Sequence, residues 1–111
     1  MEIRFITDEF AIGDQPDLSD LAALRQAGVA ALICNRPDGE TAGQPAFGDV
    51  AAAALAHGMQ ARHLPVLPDQ VTAAHGQQFA ALLAELPKPV FAYCRTGRRA
   101  ETLWVLAQSA G

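Results

Sequence analysis

Val90-Phe91-Ala92-Tyr93-Cys94-Arg95-Thr96-Gly97-Arg98-Arg99-Ala100-Glu101-Thr102-Leu103-Trp104-Val105-Leu106 sets an apolar run, a short polar loop and a helix-like run in direct succession. Val90 to Tyr93 reads as a buried strand leading into Cys94, and the helix opens among the arginines. Loop N–H groups and a helix N-terminus that converge on one spot stabilise an anion there. A thiolate is such an anion, and the neighbouring arginines favour it further. This is the design of a nucleophilic cysteine. Gly97 suits a backbone conformation that other residues resist. A cation such as Arg99 in the first turn opposes the helix dipole, so a bound anion explains it better than solvent does.

Working outward, Ile3-Arg4-Phe5-Ile6 and Phe10-Ala11-Ile12 read as short strands. Asp17, after Pro16, is placed to cap a helix through Gln26 that Gly28 ends. Val29-Ala30-Ala31-Leu32-Ile33-Cys34 is continuously apolar, the pattern of a strand buried on both faces. Asn35 to Pro45 is turn-rich. A helix from about Asp49 to His57 follows, stopped by Gly58. Ala61 to Val66 reads as a further strand. Phe79, Leu82, Leu83 and Leu86 share a helix face that ends between Pro87 and Pro89. Strands alternating with helices predict an α/β fold, a mostly parallel sheet flanked by helices. Sites in such sheets lie beyond the C-terminal strand ends. Three loops meet there: Cys34-Asn35-Arg36, Leu67-Pro68-Asp69, and Cys94 to Arg99.

The chain has 111 residues, half of them hydrophobic and 18% charged, which predicts one globular domain over residues 1–111. A net charge of −4 argues against nonspecific binding to nucleic acid or to an anionic membrane. Arg95, Arg98 and Arg99 are therefore a local concentration of positive charge. No apolar run approaches the length of a membrane span, and Met1-Glu2-Ile3-Arg4 lacks the apolar core of a signal peptide. Two cysteines make no disulfide framework, so a reducing cytoplasm is expected. No metal-ligand spacing is present, and no cofactor is expected.

From Ile6 to Leu106 the sequence resembles the phosphatase-like domain of beta-lactamase-hydrolase-like proteins, a bacterial family whose fold resembles dual-specificity protein tyrosine phosphatases. Gln15-Pro16, the phrase Ile33-Cys34-Asn35-Arg36-Pro37-Asp38-Gly39-Glu40, Leu64-Pro65-Val66 and Ala92-Tyr93-Cys94-Arg95-Thr96-Gly97 carry the resemblance. It implies a protein tyrosine phosphatase-like fold of the dual-specificity type, with Cys94 as nucleophile and Arg99 as the anion-binding arginine. Three departures from the phosphatase signature stand out. Cys94 and Arg99 enclose four residues where phosphatases have five; Tyr93 stands where His is usual; Ala100 stands where Ser or Thr is usual. The four-residue spacing resembles rhodaneses, and some family members are described as sulfurtransferases.

Each candidate has a plainer alternative. Cys94 could be a buried, inert cysteine, but the following Arg-Thr-Gly-Arg-Arg favours the nucleophile. Arg95 and Arg98 read as rim charges that recruit an acidic substrate, and Thr96 as either a thiolate partner or an ordinary loop residue. Asp69 is a candidate general acid or simply a turn residue after Pro68. Cys34 is a core residue or a resolving thiol for oxidised Cys94, the latter requiring Cα atoms within ~7 Å. Arg36, Asp38 or Glu40 could orient the cysteine loop through ion pairs, with no way to choose among them. His63 and His75 read as structural. The resulting expectation is a cysteine-dependent phosphatase-like hydrolase acting on a small anionic or phosphorylated substrate. The alternatives are a rhodanese-like sulfurtransferase, taking sulfur from a sulfane-sulfur donor to a thiol acceptor through a Cys94 persulfide, and a noncatalytic anion-binding, phosphoprotein-binding or redox-sensing module.

Overall fold

The computed structural model describes residues 1–110. In chain order the elements are β1 (Ile3–Thr7), β2 (Phe10–Gly13), a 3-10 turn (Leu18–Asp20), α1 (Leu21–Gln26), β3 (Ala31–Cys34), α2 (Phe47–Ala56), β4 (Gln60–His63), α3 (Ala73–Glu85), β5 (Val90–Tyr93) and α4 (Arg98–Ala110). One sheet contains all five strands in the order β1-β2-β5-β3-β4. Only the β1–β2 pair is antiparallel; β2–β5, β5–β3 and β3–β4 are parallel. The mostly parallel sheet expected from the alternation is present, with β5 at its centre.

Strand periodicity sorts the side chains into two layers. Phe10, Ile12, Ile33, Val90 and Ala92 face α3 and α4, packing with Phe79, Leu103 and Ala107. Ala11, Leu32, Cys34, Phe91 and Tyr93 face the other way, onto Leu21 and Leu24 of α1 and Val50 and Ala54 of α2. Each large apolar side chain fully buried this way contributes about 1.5–3 kcal/mol. Phe10 adds geometry to the first layer. It stacks on Trp104 at 5.7 Å and meets Phe79 edge-on at 5.9 Å. The two helices of that layer approach closely at Gly76, where a Cβ would come within 2.6 Å of Leu106 Cβ.

The helix expected from Asp17 to Gln26 is two elements. The Asp20 carboxylate folds back to accept the Asp17 N–H at 2.8 Å, and the Asp20 N–H donates to the Asp17 carbonyl at 2.9 Å. This closes a tight first turn, so α1 proper starts at Leu21. The strand expected from Val29 begins later, at Ala31. Gly28, at φ +96°, donates to the Arg25 carbonyl at 3.0 Å, and the Val29 N–H reaches back to the Leu24 carbonyl at 3.1 Å. Val29 is thus committed to capping α1 while its side chain stays in the core. α2 ends identically, with Gly58 donating to Leu55 and Met59 to Ala54. β4 covers Gln60–His63 and not the expected Ala61 to Val66. Pro65 has no N–H to offer the ladder, although Leu64 and Val66 still donate to the Cys34 and Asn35 carbonyls at 2.9 and 3.2 Å.

The parallel strands β2, β3, β4 and β5 end on the same edge of the sheet, at Gly13, Cys34, His63 and Tyr93. The loops leaving those four ends form one cluster. Among the described residues no helix is long and apolar enough to cross a membrane.

Candidate active site

Cys94 is the first residue beyond β5, and its N–H continues the ladder by donating to the Gly13 carbonyl at 3.3 Å. The strand alternation that sends Tyr93 toward α1 and α2 turns Cys94 toward the α4 side. The loop then curls so that the Gly97 N–H donates to Cys94 Sγ at 3.0 Å, with α4 starting at the next residue. Gly97 makes this curl at φ +93°, and its Cα edge lies so near β2 that a Cβ would stand 3.4 Å from the Gly13 carbonyl oxygen. Cys94 is almost wholly buried and carries no disulfide.

Arg99 occupies the first turn of α4, and its guanidinium is clamped. Nη1 donates to Glu40 Oε2 at 2.7 Å and to the Val66 carbonyl at 2.9 Å; Nη2 donates to Glu40 Oε1 at 2.8 Å. A guanidinium has five N–H groups. These three bonds leave Nε–H and one Nη2–H, which lie along one edge of the guanidinium. The Glu40 hydrogen bonds raise the Arg99 pKa above its ordinary value, with a further contribution from Cys94. The Arg99 guanidinium beside Glu40, helped by Arg36, lowers the Glu40 carboxyl from 4.5 to about 2.

Arg36 holds Glu40 from the other side and is only 3% exposed. Its Nε donates to Glu40 Oε1 at 3.0 Å, Nη1 to Gln15 Oε1 at 3.0 Å, and Nη2 to Thr41 Oγ1 at 3.1 Å. The Arg36 carbonyl in turn contacts His63 Nε2 at 2.7 Å and accepts from the Cys34 thiol at 3.5 Å. Of the three residues considered for orienting the cysteine loop, Glu40 makes the pairing directly. Asp38 caps α2 by accepting the Phe47 N–H at 2.8 Å.

Asp69, Arg95, Thr96, Arg98 and Arg99 line one cavity of about 210 Å³ together with Pro68. Asp69 is exposed, with φ 64°, in the left-handed region that Asp tolerates better than most residues. Arg95 and Arg98 are exposed on the rim. The Thr96 hydroxyl accepts from the Arg98 N–H at 3.4 Å, which occupies it within the loop. On the far side of the loop a second cleft of about 400 Å³ is lined by Arg95, Thr96 and Gly97 with Glu2, Arg4 and Asp14.

Cys34 shares the α1/α2 layer with Tyr93, its partner in the β3–β5 register. It is a free thiol, and burial pushes its pKa up. Tyr93, where a phosphatase has His, is a core side chain: its ring stacks with Phe91 at 6.0 Å, its hydroxyl has no hydrogen-bond partner, and burial raises its pKa. Ala100, where Ser or Thr is usual, is fully buried in the α3/α4 layer. His63 stacks on Phe47 at 4.5 Å, and His75 caps α3 by accepting the Thr72 N–H at 3.1 Å, so both have structural work. No group of three or more His, Cys, Asp or Glu among the described residues is placed to hold a metal ion.

Gln15 and the Val66 carbonyl, which brace Arg36 and Arg99, are not among the candidate residues legible in the sequence. Gln15 left a trace in lying just beyond a strand's C-terminal end. A backbone carbonyl leaves none.

A family model described as "Beta-lactamase hydrolase-like protein, phosphatase-like domain" matches residues 2–111. A beta-lactamase hydrolase-like protein of Agrobacterium fabrum is 38% identical over 104 residues, covering 94% of this chain but 24% of its own length. The chain therefore spans about a quarter of that curated relative. Among solved structures, a candidate phosphatase from Neisseria meningitidis superposes with TM-score 0.88 at 30% identity, over 100% of this chain and 89% of that one. A P. aeruginosa TpbA variant in complex with phosphotyrosine superposes with TM-score 0.70 at 14% identity, over 98% of this chain and 65% of that one, a likeness of fold. The family match and the superpositions converge: this chain has a protein tyrosine phosphatase-like fold and belongs to the family of beta-lactamase hydrolase-like protein phosphatase-like domains.

Proposed function

We propose that the chain is a cysteine-dependent phosphatase-like hydrolase in which the Cys94 thiolate attacks the phosphorus of a small phosphorylated or otherwise anionic substrate. The observation that carries the reading is the convergence at Cys94: the Gly97 N–H at 3.0 Å from Sγ, and an Arg99 fork held open by Glu40. Attack forms the S–P bond and breaks the ester P–O bond, with Asp69 giving its proton to the leaving oxygen. Loop amides and the free Arg99 edge stabilise the charge on the nonbridging oxygens. Water, activated by the Asp69 carboxylate, then displaces the thiolate and releases phosphate. Arg95 and Arg98 draw the anion to the rim. A reducing compartment such as the cytoplasm suits a mechanism that needs Cys94 as a free thiol.

A second reading rests on loop length. Four residues between Cys94 and Arg99 make a tighter cradle than five, and an amide already reaches Sγ. That geometry suits a single added sulfur atom. Cys94 would attack the outer sulfur of thiosulfate, break the S–S bond, expel sulfite and pass the bound sulfur to cyanide or a thiol, with no need for Asp69.

The experiment is a paired assay on the protein and its Cys94→Ser variant. Phosphate release from an aryl phosphate, lost in the variant, supports the hydrolase. Thiocyanate formation from thiosulfate and cyanide, without phosphate release, overturns it in favour of sulfur transfer. Neither activity, with oxyanion binding intact in the variant, leaves a binding module.

A further inference from the structure

We infer that Arg36 is a positioning residue for the anion cradle, acting through Glu40 on Arg99; the inference rests on the reading of Cys94 and Arg99 as an oxyanion site. Arg36 is 3% exposed and lies on the β3 loop, while Arg99 lies on α4. One carboxylate joins them: Glu40 Oε1 accepts from both Arg36 Nε and Arg99 Nη2, and Oε2 accepts from Arg99 Nη1. A carboxylate clamped by two guanidiniums from different elements has little freedom to rotate. Its orientation decides which edge of Arg99 faces Cys94.

Three features make this more than a buried ion pair. First, all three donor nitrogens of Arg36 are used, on Glu40, Gln15 and Thr41, so the guanidinium plane is fixed at three points. A lysine ammonium cannot reproduce that fan of planar donors. Second, the braces come from two strand ends: Gln15 follows β2, and His63 at the end of β4 holds the Arg36 carbonyl. Third, the chain of contacts ends on Arg99, whose guanidinium lies beside Cys94. The relay thus converts the registry of the sheet into the orientation of one N–H fork, and small errors in such orientation lower reaction rates steeply.

The test reads binding separately from turnover, using tungstate as an inert oxyanion and isothermal titration calorimetry. Arg36→Lys is expected to weaken tungstate binding and to lower kcat, each by about 10-fold, in a protein that still unfolds cooperatively. In a double-mutant cycle with Glu40→Gln, the second substitution adds little to the first, because both act through one carboxylate. Additive losses in affinity would overturn the relay, since they would mean Arg36 acts independently of Glu40. If Arg36→Lys does not fold, Gln15→Leu and Thr41→Val each remove one brace without changing charge, and each should weaken tungstate binding about 2- to 5-fold. Unchanged affinity in both overturns the inference. Arg99→Ala separates the two levels. Tungstate binding that survives Arg99→Ala refutes the oxyanion site and the inference with it. Binding that needs Arg99 but ignores Arg36 refutes the inference alone.

Discussion

Replacing Glu40 by Gln isolates the charge that holds the cradle together. Glu40 accepts two hydrogen bonds from Arg99 and one from Arg36, at 2.7, 2.8 and 3.0 Å, and its side chain is 16% exposed. Its carboxyl is lowered from 4.5 to about 2, chiefly by Arg99. A shift of that size corresponds to about 3 kcal/mol favouring the charged form in the folded state. Glutamine keeps the shape and loses the charge, and it turns an N–H donor toward a guanidinium, so the expected loss is about 3 kcal/mol at neutral pH, in the range for breaking a buried pair. The sign follows from the depressed pKa. The stabilisation is fully present above 4.5, the unfolded value, and is lost as pH falls through about 2. Urea unfolding of both proteins at about pH 7, 5, 4 and 3 should show a constant gap down to about pH 5 that shrinks to about half by pH 3. A gap below about 1 kcal/mol at neutral pH, or one that does not narrow in acid, would refute the clamp.

Three further substitutions probe the scaffold and the chemistry. Gly97→Ala places a side chain at φ +93° against the Gly13 carbonyl; unfolding should show a loss of about 1–2 kcal/mol, accompanied by weaker oxyanion binding as the amide leaves Sγ. Gly76→Ala drives a Cβ into Leu106 at 2.6 Å and should cost about 1–3 kcal/mol in urea unfolding with no direct effect on the cysteine loop. Asp69→Asn keeps a residue that tolerates φ 64°, so a fall of about 10²-fold in aryl phosphate cleavage would report loss of a proton donor; an unchanged rate dismisses that role, and sulfur transfer should be indifferent to it.

The central device was legible because each part announces itself locally. Val90 to Tyr93 is apolar on both faces, as a strand covered by helices on each side of the sheet must be, and Arg-Thr-Gly-Arg-Arg has no place inside a strand. Helix ends were legible at Gly28 and Gly58 for the same reason: a left-handed residue closes each one. Element starts were less so. Apolar Val29 continues the run into β3, yet its N–H is committed to Leu24, a choice made by helix capping rather than by hydrophobicity. At Asp17 the carboxylate of Asp20 tightened the first turn, which composition alone does not reveal.

The candidate site divides along the same line. Cys94, Gly97 and Arg99 lie within one loop and one helical turn, so their proximity is written in sequence spacing. Glu40 meets Arg99 across 59 positions, and such a pairing depends on where β3 and β5 lie in the sheet. Arg36, Asp38 and Glu40 were therefore equivalent as charges in a turn-rich segment. Only packing separates the helix cap, Asp38, from the clamp, Glu40. Tyr93 departs from the signature as a core side chain, packed beside Cys34 in the α1/α2 layer.

The central claim is that Cys94 is a nucleophile, and intact-protein mass spectrometry after brief incubation with an aryl phosphate or with thiosulfate tests it most directly. A mass increase on Cys94 matching a phosphoryl group is expected with the first donor, and no adduct in the Cys94→Ser variant. A sulfur-atom adduct from thiosulfate alone would keep the nucleophile and replace the hydrolase reading. Absence of any adduct on Cys94 with either donor, alongside turnover that survives Cys94→Ser, would contradict the account.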